Sequence, residues 1–208
     1  IYLIKEYDID PLTINYLGHG TTVALNMLLE KRAKSIGLLT TKGFRDVLEI
    51  GRQTRPNLYN YEIKRPEPLA KRSHRIEIPE RINVDGIIQL PLDHGVVEQA
   101  ALYFLNNDIE AIAICFLHSY KNADHEIQAA EIIRNTLPNA FLSLSSEVLP
   151  EFREYERTST TAVNTYVGPR MQLYLQKLKE RIARLGIKCS PYIIHSNGGL
   201  LTVPMATK

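Results

Sequence analysis

Residues 111–117 read Ala-Ile-Ala-Ile-Cys-Phe-Leu, an apolar run with no charged residue inside it. Such a run is typical of a strand that is covered on both faces, as in a parallel sheet. Asn122 is placed to cap a helix that the pattern predicts over 123–137, and Phe-Leu-Ser-Leu at 141–144 predicts the next strand. A strand, a helix and a strand in this order indicate a right-handed crossover between parallel strands.

The elements upstream of this run extend the alternation of strands and helices. The pattern predicts a buried strand over 35–40, a helix over 43–51 and a hairpin over 75–90. Asp93 is placed to cap a helix that continues through Asn106. The alternation predicts an α/β fold with a mixed, largely parallel sheet and crossover helices.

Downstream of this region, the pattern predicts one helix over 151–167 and another over 169–185, because Gly168-Pro169 interrupts the spacing. A last strand is predicted over 191–195, before a Gly-Gly turn. One face of the first helix is expected to pack on the sheet, and its members are Phe152, Tyr155, Ser159, Ala162 and Tyr166.

The composition excludes several classes of protein. The chain has 208 residues and a formal net charge of +2 without a basic stripe, which argues against a nucleic-acid-binding surface. No apolar run approaches the roughly 18 residues of a membrane span. Cys115 and Cys189 are too few for a disulfide framework or a zinc site, so we expect a reducing, cytoplasmic setting and no bound metal.

The ends of the chain indicate a piece of a longer protein. The sequence opens on Ile1-Tyr2-Leu3-Ile4, without Met and without a signal-peptide pattern, and it stops at Thr207-Lys208. We therefore expect both ends to be cut from a longer chain, so that an active site could be divided by the cuts.

Residues 145–161 carry the most unusual polar pattern. Acidic residues alternate with Arg153 and Arg157, and four hydroxyl residues follow at 158–161. Hydroxyl and β-branched residues are weak helix formers, so four of them in a helical pattern suggest a role other than propensity. One interpretation is a solvated face with ion pairs such as Glu154 with Arg157. The other is a face that lines a cleft, where Glu154 holds Arg157 and aims it at a developing oxyanion or phosphate.

A second candidate site lies at Gly18-His19-Gly20-Thr21-Thr22, before a predicted helix. Helix N-termini present free N–H groups and a partial positive charge, which suit a phosphate or a carboxylate. The glycines permit close approach of the backbone, and the hydroxyls of Thr21 and Thr22 can donate. Ordinary capping by a threonine explains the same residues.

Two further clusters follow predicted strands. His118-Ser119-Tyr120 comes after the run at 111–117, with His125 in the next helix, but no third ligand is in register for zinc. Ser196-Asn197-Gly198-Gly199 follows the last strand, and such a pair of glycines can bind phosphate, although it is more often a tight turn. Neither cluster matches a phosphate-binding P-loop, a dinucleotide fingerprint or a nucleophile elbow.

Taken together, these stretches resemble the hydantoinase/oxoprolinase family, and in particular the A subunit of ATP-dependent hydantoin-utilising enzymes. The matching motifs occur in the order of the family and cover nearly the whole chain. They are His19-Gly20-Thr21-Thr22-Val23-Ala24 with Asn26, residues 40–52, Arg55-Pro56-Asn57-Leu58-Tyr59, Glu80-Arg81-Ile82 with Asp85-Gly86, Leu117-His118-Ser119-Tyr120, residues 145–161, and Ser196-Asn197-Gly198-Gly199-Leu200.

The resemblance implies part of an actin-like ATPase fold, in which two α/β lobes enclose ATP. It implies an ATP-dependent hydrolase that opens cyclic amides such as hydantoin or 5-oxoproline, by phosphoryl transfer to a carbonyl or enolate oxygen with Mg²⁺ at the phosphates. Some members of the family carboxylate ketones, so a subunit of an ATP-dependent ketone carboxylase is an alternative. A partner subunit of the B type is implied as well.

Under this resemblance, the clusters line the cleft between the two lobes. The expected catalytic residues are Arg157 and Glu154. The residues expected at the substrate or at the nucleotide phosphates are His19, Gly20, Thr21, Thr22, Asn26, Arg52, Thr158, Ser196, Asn197, Gly198 and Gly199.

The chain departs from the family pattern at both ends. The first phosphate loop of the family, an Asp-x-Gly-Gly-Thr hairpin, lies upstream of His19, and a second glycine-rich loop lies downstream of 196–199; neither is in this sequence. The chain is therefore expected to be a fragment, with 1–147 as the end of the amino-terminal region and 148–208 as the start of the catalytic region. A non-catalytic unit that docks partner subunits is the competing hypothesis. The substrate is not readable, because members share these motifs across different substrates.

Overall fold

The structure is a computed structural model that describes residues 6–31, 34–53, 66–194 and 198–206. The chain divides into two compact units: residues 33–166, here called the central unit, and residues 1–32 with 167–208, here called the terminal unit. The helices and strands are, in chain order, β1 (Gly18–Gly20), α1 (Val23–Glu30), β2 (Gly37–Thr41), α2 (Val47–Ile50), β3 (Arg75–Ile78), β4 (Arg81–Ile82), β5 (Ile88–Leu90), α3 (His94–Asn106), β6 (Ala111–Cys115), α4 (Asp124–Thr136), β7 (Phe141–Leu144), α5 (Ser145–Val148), α6 (Glu154–Arg184), β8 (Tyr192–Ile194), β9 (Leu200–Thr202) and α7 (Val203–Ala206).

A four-stranded parallel sheet forms the centre of the central unit. Its strand order is β3-β2-β6-β7, and every neighbouring pair is parallel. The apolar run lies on β6, where Ile112, Ala113 and Ile114 are fully buried, as expected for an inner strand. The chain passes from β6 through α4 to the parallel strand β7, so the predicted crossover is confirmed.

Helices α3 and α4 pack against each other and contribute to one hydrophobic core with the sheet. Helix α3 begins as predicted, because a side-chain oxygen of Asp93 accepts a hydrogen bond from the backbone N–H of Val96 at 3.1 Å. Strand β2 and helix α3 pack closely, since a Cβ added to Gly37 would lie 2.7 Å from the ring of Phe104. The fully buried residues of this core are Leu39, Ile78, Val97, Ala101, Phe104, Ile112, Ile114, Phe116, Ala129 and Ile133.

The predicted hairpin over 75–90 is wrong in its extent. Strand β3 joins the parallel sheet beside β2, whereas β4 and β5 form a separate two-stranded antiparallel sheet. Pro79 lies between β3 and β4, and it lacks the N–H that a continuous ladder requires. The helix predicted over 43–51 is reduced to α2, because Gly43 has a φ of 94° and the chain turns there.

A single helix, α6, replaces the two helices predicted over 151–167 and 169–185. It runs through Pro169, which cannot donate a hydrogen bond to the carbonyl four residues earlier. Gly168 has no Cβ to clash with the proline ring, so the helical conformation before Pro169 is accessible. The helix begins later than predicted because Arg153 has a φ of 90°, outside the helical region.

The terminal unit contains a three-stranded sheet with the order β1-β8-β9, in which β1 is parallel to β8 and β8 antiparallel to β9. Residues Gly18–Gly20, predicted as a turn before a helix, form strand β1, and α1 follows them. Within the described ranges, no helix is long and apolar enough to cross a membrane. The α/β class with a largely parallel sheet is confirmed.

Candidate functional site

The carboxyl ends of the four parallel strands meet at one edge of the central sheet, which is where ligands bind in open α/β folds. Buried polar side chains gather there. Buried polar groups need hydrogen-bond partners, and here they bond mainly to one another and to the loop backbone. We call this group the edge cluster, and its members are Thr41, Glu80, Ser119, His125, Glu126, Ser145 and Arg157.

Glu80 is the first of two buried carboxylates in the edge cluster. It accepts a hydrogen bond from the Thr41 hydroxyl and another from Nδ1 of His125, at 2.7 Å. The same Thr41 oxygen accepts from the backbone N–H of Leu117 at 2.8 Å. Glu80 therefore joins the chain after β3 to the end of β2 and to the first turn of α4.

Glu126, the second carboxylate, accepts four hydrogen bonds. Oε1 accepts from the backbone N–H of Phe116 at 3.0 Å and from Ser145 Oγ at 2.6 Å. Oε2 accepts from the backbone N–H of Ser146 at 2.9 Å and from its hydroxyl at 2.7 Å. One side chain thus fixes the chain at the ends of both β6 and β7.

Two serine hydroxyls connect Glu126 to Arg157. Arg157 Nη1 donates to Ser119 Oγ at 3.0 Å, Ser119 Oγ lies 2.9 Å from Ser145 Oγ, and Ser145 Oγ donates to Glu126. Since arginine only donates and an ionised carboxylate only accepts, Ser119 must donate to Ser145. The two hydroxyls therefore both donate in the direction that leads from Arg157 to Glu126.

Arg157 is buried, with 2% of its surface exposed, and it is anchored at several points. Nη2 donates to the carbonyl oxygen of Phe116 at 2.8 Å, and the guanidinium carbon lies 5.4 Å from the ring centroid of Tyr120. In the described part of the chain Arg157 makes no ion pair, so the expectation that Glu154 holds it is wrong. Its Nε has no hydrogen-bond partner among the described residues.

A small pocket with an empty volume of about 190 Å³ adjoins Arg157. Its wall is more apolar than polar, and the lining residues are Thr40, Phe44, Val47, Cys115, Phe116, Leu117, Glu154, Arg157 and Thr158. Thr158 Oγ1 lies 3.1 Å from the Cys115 sulfur. Burial raises the pKa of the Cys115 thiol, although the charge of Arg157 opposes this shift. The pocket therefore offers a guanidinium, a carboxylate and a neutral thiol within one small volume.

His118 lies in the loop after β6 with a φ of 57°, a left-handed conformation that is uncommon outside glycine. Its Nδ1 is 3.4 Å from the hydroxyl of Tyr120. Partial burial lowers the pKa of His118, while the charge of Glu154 opposes that shift. A strained, half-exposed imidazole at the carboxyl edge of a sheet is a candidate for ligand contact.

The buried face of α6 differs from the predicted one. Phe152 is 66% exposed and precedes the helix, whereas the buried face is largely polar. Within 154–166 its members are Arg157, Thr158, Thr161, Ala162, Thr165 and Tyr166, of which Ala162 and Tyr166 were predicted, and farther along the helix Leu175 and Ile182 are buried. Thr161 and Thr165 donate to carbonyl oxygens one turn earlier, each at 2.7 Å, so these hydroxyls are satisfied within their own helix.

The residues expected around His19 all lie in the terminal unit. Nε2 of His19 is 2.6 Å from the hydroxyl of Tyr174. Thr21 Oγ1 accepts from the backbone N–H at position 23 at 3.3 Å, while Thr22 takes the N-cap position of α1 without a side-chain cap bond. Nδ2 of Asn26 is 3.5 Å from the Thr22 hydroxyl, and a Cβ added to Gly20 would meet no atom within 4 Å.

The last predicted residues are Arg52 of the central unit and Gly198 and Gly199 of the terminal unit. Arg52 pairs with Glu156, its Nε donating to a carboxylate oxygen at 2.5 Å, and both lie in the central unit. A hydrogen bond from the helix backbone lowers the pKa of Glu156, with Arg52 adding to the shift. Gly198 has a φ of 84°, as a glycine turn requires. Ser196 and Asn197 lie outside the described residues.

Comparison with known proteins gives two family matches. The description "Hydantoinase/oxoprolinase N-terminal region" fits residues 2–137, and "Hydantoinase/oxoprolinase" fits residues 157–208. The chain belongs to the hydantoinase/oxoprolinase family. The boundary predicted between residues 147 and 148 falls in the unmatched segment between the two and stays a prediction.

Three members of this family illustrate the likeness. An uncharacterised protein of Methanocaldococcus jannaschii is 42% identical over 94% of this chain and 29% of its own length. The caprolactamase subunit alpha of Pseudomonas jessenii is 39% identical over 88% of this chain and 26% of its own. The acetophenone carboxylase gamma subunit of Aromatoleum aromaticum is 31% identical over 89% and 27%.

The crystal structure of the ATP-dependent caprolactamase from Pseudomonas jessenii is similar to this fold, with a TM-score of 0.87 and 36% identity over 92% of this chain and 28% of that one. This likeness confirms the fold that was expected for part of an actin-like ATPase. The chain spans less than a third of the length of the relatives that it matches.

Sequence reasoning placed Arg157 and Thr158 among the site residues of this family member but missed most of the edge cluster. Glu80, His125 and Glu126 were not expected there, since their partners lie far away in the sequence. A usable signal was present: a polar residue stands at or just after the carboxyl end of each strand of the parallel sheet.

Proposed function

We propose that the full-length protein is an ATP-dependent hydrolase that opens cyclic amides by phosphoryl transfer to the ring carbonyl. The observation that carries this proposal is the pocket beside Arg157, in a chain that belongs to the hydantoinase/oxoprolinase family. A cyclic amide presents a carbonyl oxygen and, in its unsubstituted form, an N–H side by side. A guanidinium and a carboxylate on one pocket wall complement that pair.

In this proposal Arg157 and Glu154 contact the reacting group. The free Nε–H of Arg157 donates to the carbonyl or transferring oxygen, and its fixed Nη groups prevent the guanidinium from turning away. Glu154 accepts from the ring N–H, and Phe44 and Val47 pack on the ring carbons. Thr158 completes the wall beside Arg157.

The volume of the pocket limits what it can take. About 190 Å³ of empty space, open solvent included, lies below the roughly 300 Å³ at the small end of ordinary ligand sites, so this pocket is too small for a nucleotide. Among the described residues, no three or more His, Cys, Asp or Glu side chains gather to hold a metal ion. We propose ATP and Mg²⁺ as cofactors of the full-length protein.

The other predicted residues keep their proposed roles at the substrate or at the nucleotide phosphates. The terminal-unit residues are His19, Gly20, Thr21, Thr22, Asn26, Gly198 and Gly199, with Ser196 and Asn197 beyond the described part. Arg52 of the central unit is proposed for the same role. A B-type partner subunit is also proposed, supported by the names of the two characterised relatives, each of which is a subunit.

The test uses the full-length protein with its partner subunit. We expect ATP hydrolysis to be stimulated by caprolactam, 5-oxoproline or hydantoin. Arg157→Lys keeps the positive charge but loses the planar guanidinium and its fixed N–H donors, so turnover should fall about a hundredfold or more. The matched control is Arg170→Lys, an exposed arginine on the same helix, which should keep normal turnover.

Three results would count against this proposal. Near-normal turnover in Arg157→Lys would remove Arg157 from the reaction. Stimulation of ATP hydrolysis by a ketone with bicarbonate, and not by any amide, would favour the carboxylase alternative, which the 31% identity to acetophenone carboxylase supports. Activity confined to the partner subunit would favour a docking role.

A further inference from the structure

The loop Phe116–Tyr120, here called the edge loop, has no regular secondary structure but is tied down on several sides. Glu126 accepts from the N–H of Phe116, and Arg157 donates to its carbonyl oxygen. The N–H of Leu117 donates to the Thr41 hydroxyl, and Ser119 receives Arg157 Nη1. Helices α4 and α6 and strand β2 thus each hold a different atom of the loop.

The residue at the middle of the edge loop is His118, with its left-handed φ of 57°. Such a backbone persists in a histidine only where the surroundings fix it. The side chains of Ser119 and of the edge cluster are buried, whereas His118 is partly exposed. The bonds that fix the loop therefore leave its imidazole partly exposed, together with the side chains of Leu117 and Tyr120.

We propose that His118 hydrogen-bonds an uncharged amide group of the substrate, and that Ser119, Ser145 and Glu126 are positioning residues that hold the edge loop for this contact. The inference rests on the proposed function for the class of substrate. Leu117, the neighbour of His118 in the edge loop, lines the pocket beside Arg157, and an amide oxygen has two lone pairs, so it can accept from His118 as well as from Arg157. Partial burial, which favours the uncharged imidazole, agrees with an uncharged partner.

Glutamine cannot take over the hydrogen bonds of Glu126, because two of the donors that Glu126 accepts from are backbone N–H groups. Each carboxylate oxygen of Glu126 accepts from one backbone N–H, of Phe116 or of Ser146. In Glu126→Gln the side-chain NH₂ faces one of these N–H groups whichever way the amide is turned, and a backbone donor cannot reverse. The variant should therefore release either Phe116, at the start of the edge loop, or Ser146, after the end of β7, and either loss weakens the support of the edge loop.

A footprinting experiment on the full-length protein tests the positioning without needing turnover. Diethyl pyrocarbonate modifies accessible imidazoles, and mass spectrometry gives the rate at each histidine. We expect Glu126→Gln and Ser145→Ala to change the rate at His118 several-fold and to leave exposed His94 unaffected. The control is Glu131→Gln, an exposed glutamate on the same helix, which should match the parent protein.

A second measurement tests the contact with the substrate. A saturating cyclic amide should protect His118 and not His94. His118→Asn, in which asparagine tolerates the left-handed backbone, should raise KM for the amide about tenfold with an unchanged melting temperature. Ser145→Ala should raise KM in the same direction, because it acts through the loop.

The outcomes separate this inference from the proposed function. If amides stimulate ATP hydrolysis but neither protect His118 nor depend on it, the contact is wrong while the function stands. An unchanged rate at His118 in both Glu126→Gln and Ser145→Ala overturns the positioning role, whether or not amides are turned over. If no amide is used but the footprint changes as expected, the positioning stands and the amide contact fails with the function.

Discussion

Glu80 and His125 are 45 positions apart in the sequence, but Nδ1 of the histidine donates to Oε2 of the glutamate at 2.7 Å. Both side chains are at least 98% buried. The contact joins the segment after an edge strand to the first turn of α4, so the strand end and the helix must be in place together. Removing one partner of a buried polar contact costs more stability than removing an exposed charge.

We expect Glu80→Gln to lower the free energy of unfolding by about 1–3 kcal/mol, the range for leaving a buried hydrogen-bonding group without its partner. The amide nitrogen of glutamine must face either the Thr41 hydroxyl or His125, and both donate to Glu80. Denaturant unfolding measures the loss. Glu98→Gln, an exposed change on α3, should stay within about 0.5 kcal/mol, and a similar value for Glu80→Gln would contradict the prediction.

Gly37→Ala should destabilise the central unit by about 1–3 kcal/mol, because overpacking strains a well-packed core. The new methyl group would lie 2.7 Å from the ring of Phe104, which is fully buried, so the ring or the backbone must shift. Gly20→Ala is the matched control, since no atom lies within 4 Å of its added Cβ. Thermal unfolding compares the two, and equal midpoints would show that the ring moves freely.

The imidazole of His118 should titrate below the usual pKa near 6.5, as an NMR titration of its ring proton would show. Burial is the main cause, Glu154 opposes it, and Arg157 and Arg81 add to it. A base with a lowered folded pKa binds fewer protons than in the unfolded chain. Its contribution to stability is therefore complete above about pH 6.5 and is lost as pH falls through the folded pKa.

His118→Asn should flatten that part of the stability profile between the lowered folded pKa and about pH 6.5. Partial burial also lowers the pKa of His74, with Lys71 adding to the shift, so His74 contributes a slope of the same sign that the variant leaves in place. Titration of His118 at or above its ordinary value would show that its ring is not shielded from water.

Of the two cysteines, Cys189 should react with a thiol reagent in the native protein, and Cys115 only after unfolding. Burial raises the pKa of the Cys115 thiol, which keeps the reactive thiolate scarce, and it also blocks access. Titration of the native 208-residue chain and of its Cys189→Ser variant checks this. A fast thiol remaining in Cys189→Ser would mean that the pocket opens readily.

The central crossover could be predicted from the sequence because the apolar run at 111–117 and the helical pattern after it act locally, although Ala123 and not Asn122 takes the N-cap position of α4. The course of α6 could not, since Pro169 argues against a helix and the packing of the chain outweighs it. Its buried face was misassigned for a related reason. Hydrophobicity marks apolar side chains as buried, whereas Thr161 and Thr165 are buried with their hydroxyls bonded to the helix itself.

Some residues of the candidate site could likewise be predicted from the sequence, and others could not. Arg157 and Thr158 were recognisable because charges and hydroxyls crowd into one short stretch. Glu126 was not, because it looks like an ordinary helix glutamate until the fold brings two strand ends to it. The roles of all these residues in turnover stay predictions.

The carboxylate of Glu126 holds both strand ends through backbone donors before any ligand arrives. A surface that is already ordered has little conformational entropy left to lose on binding. Dipoles that are already aligned need no reorganisation when charge develops beside them. The residues at this edge are therefore ordered by folding and not by ligand binding. A small ring can then bind without burying a large area.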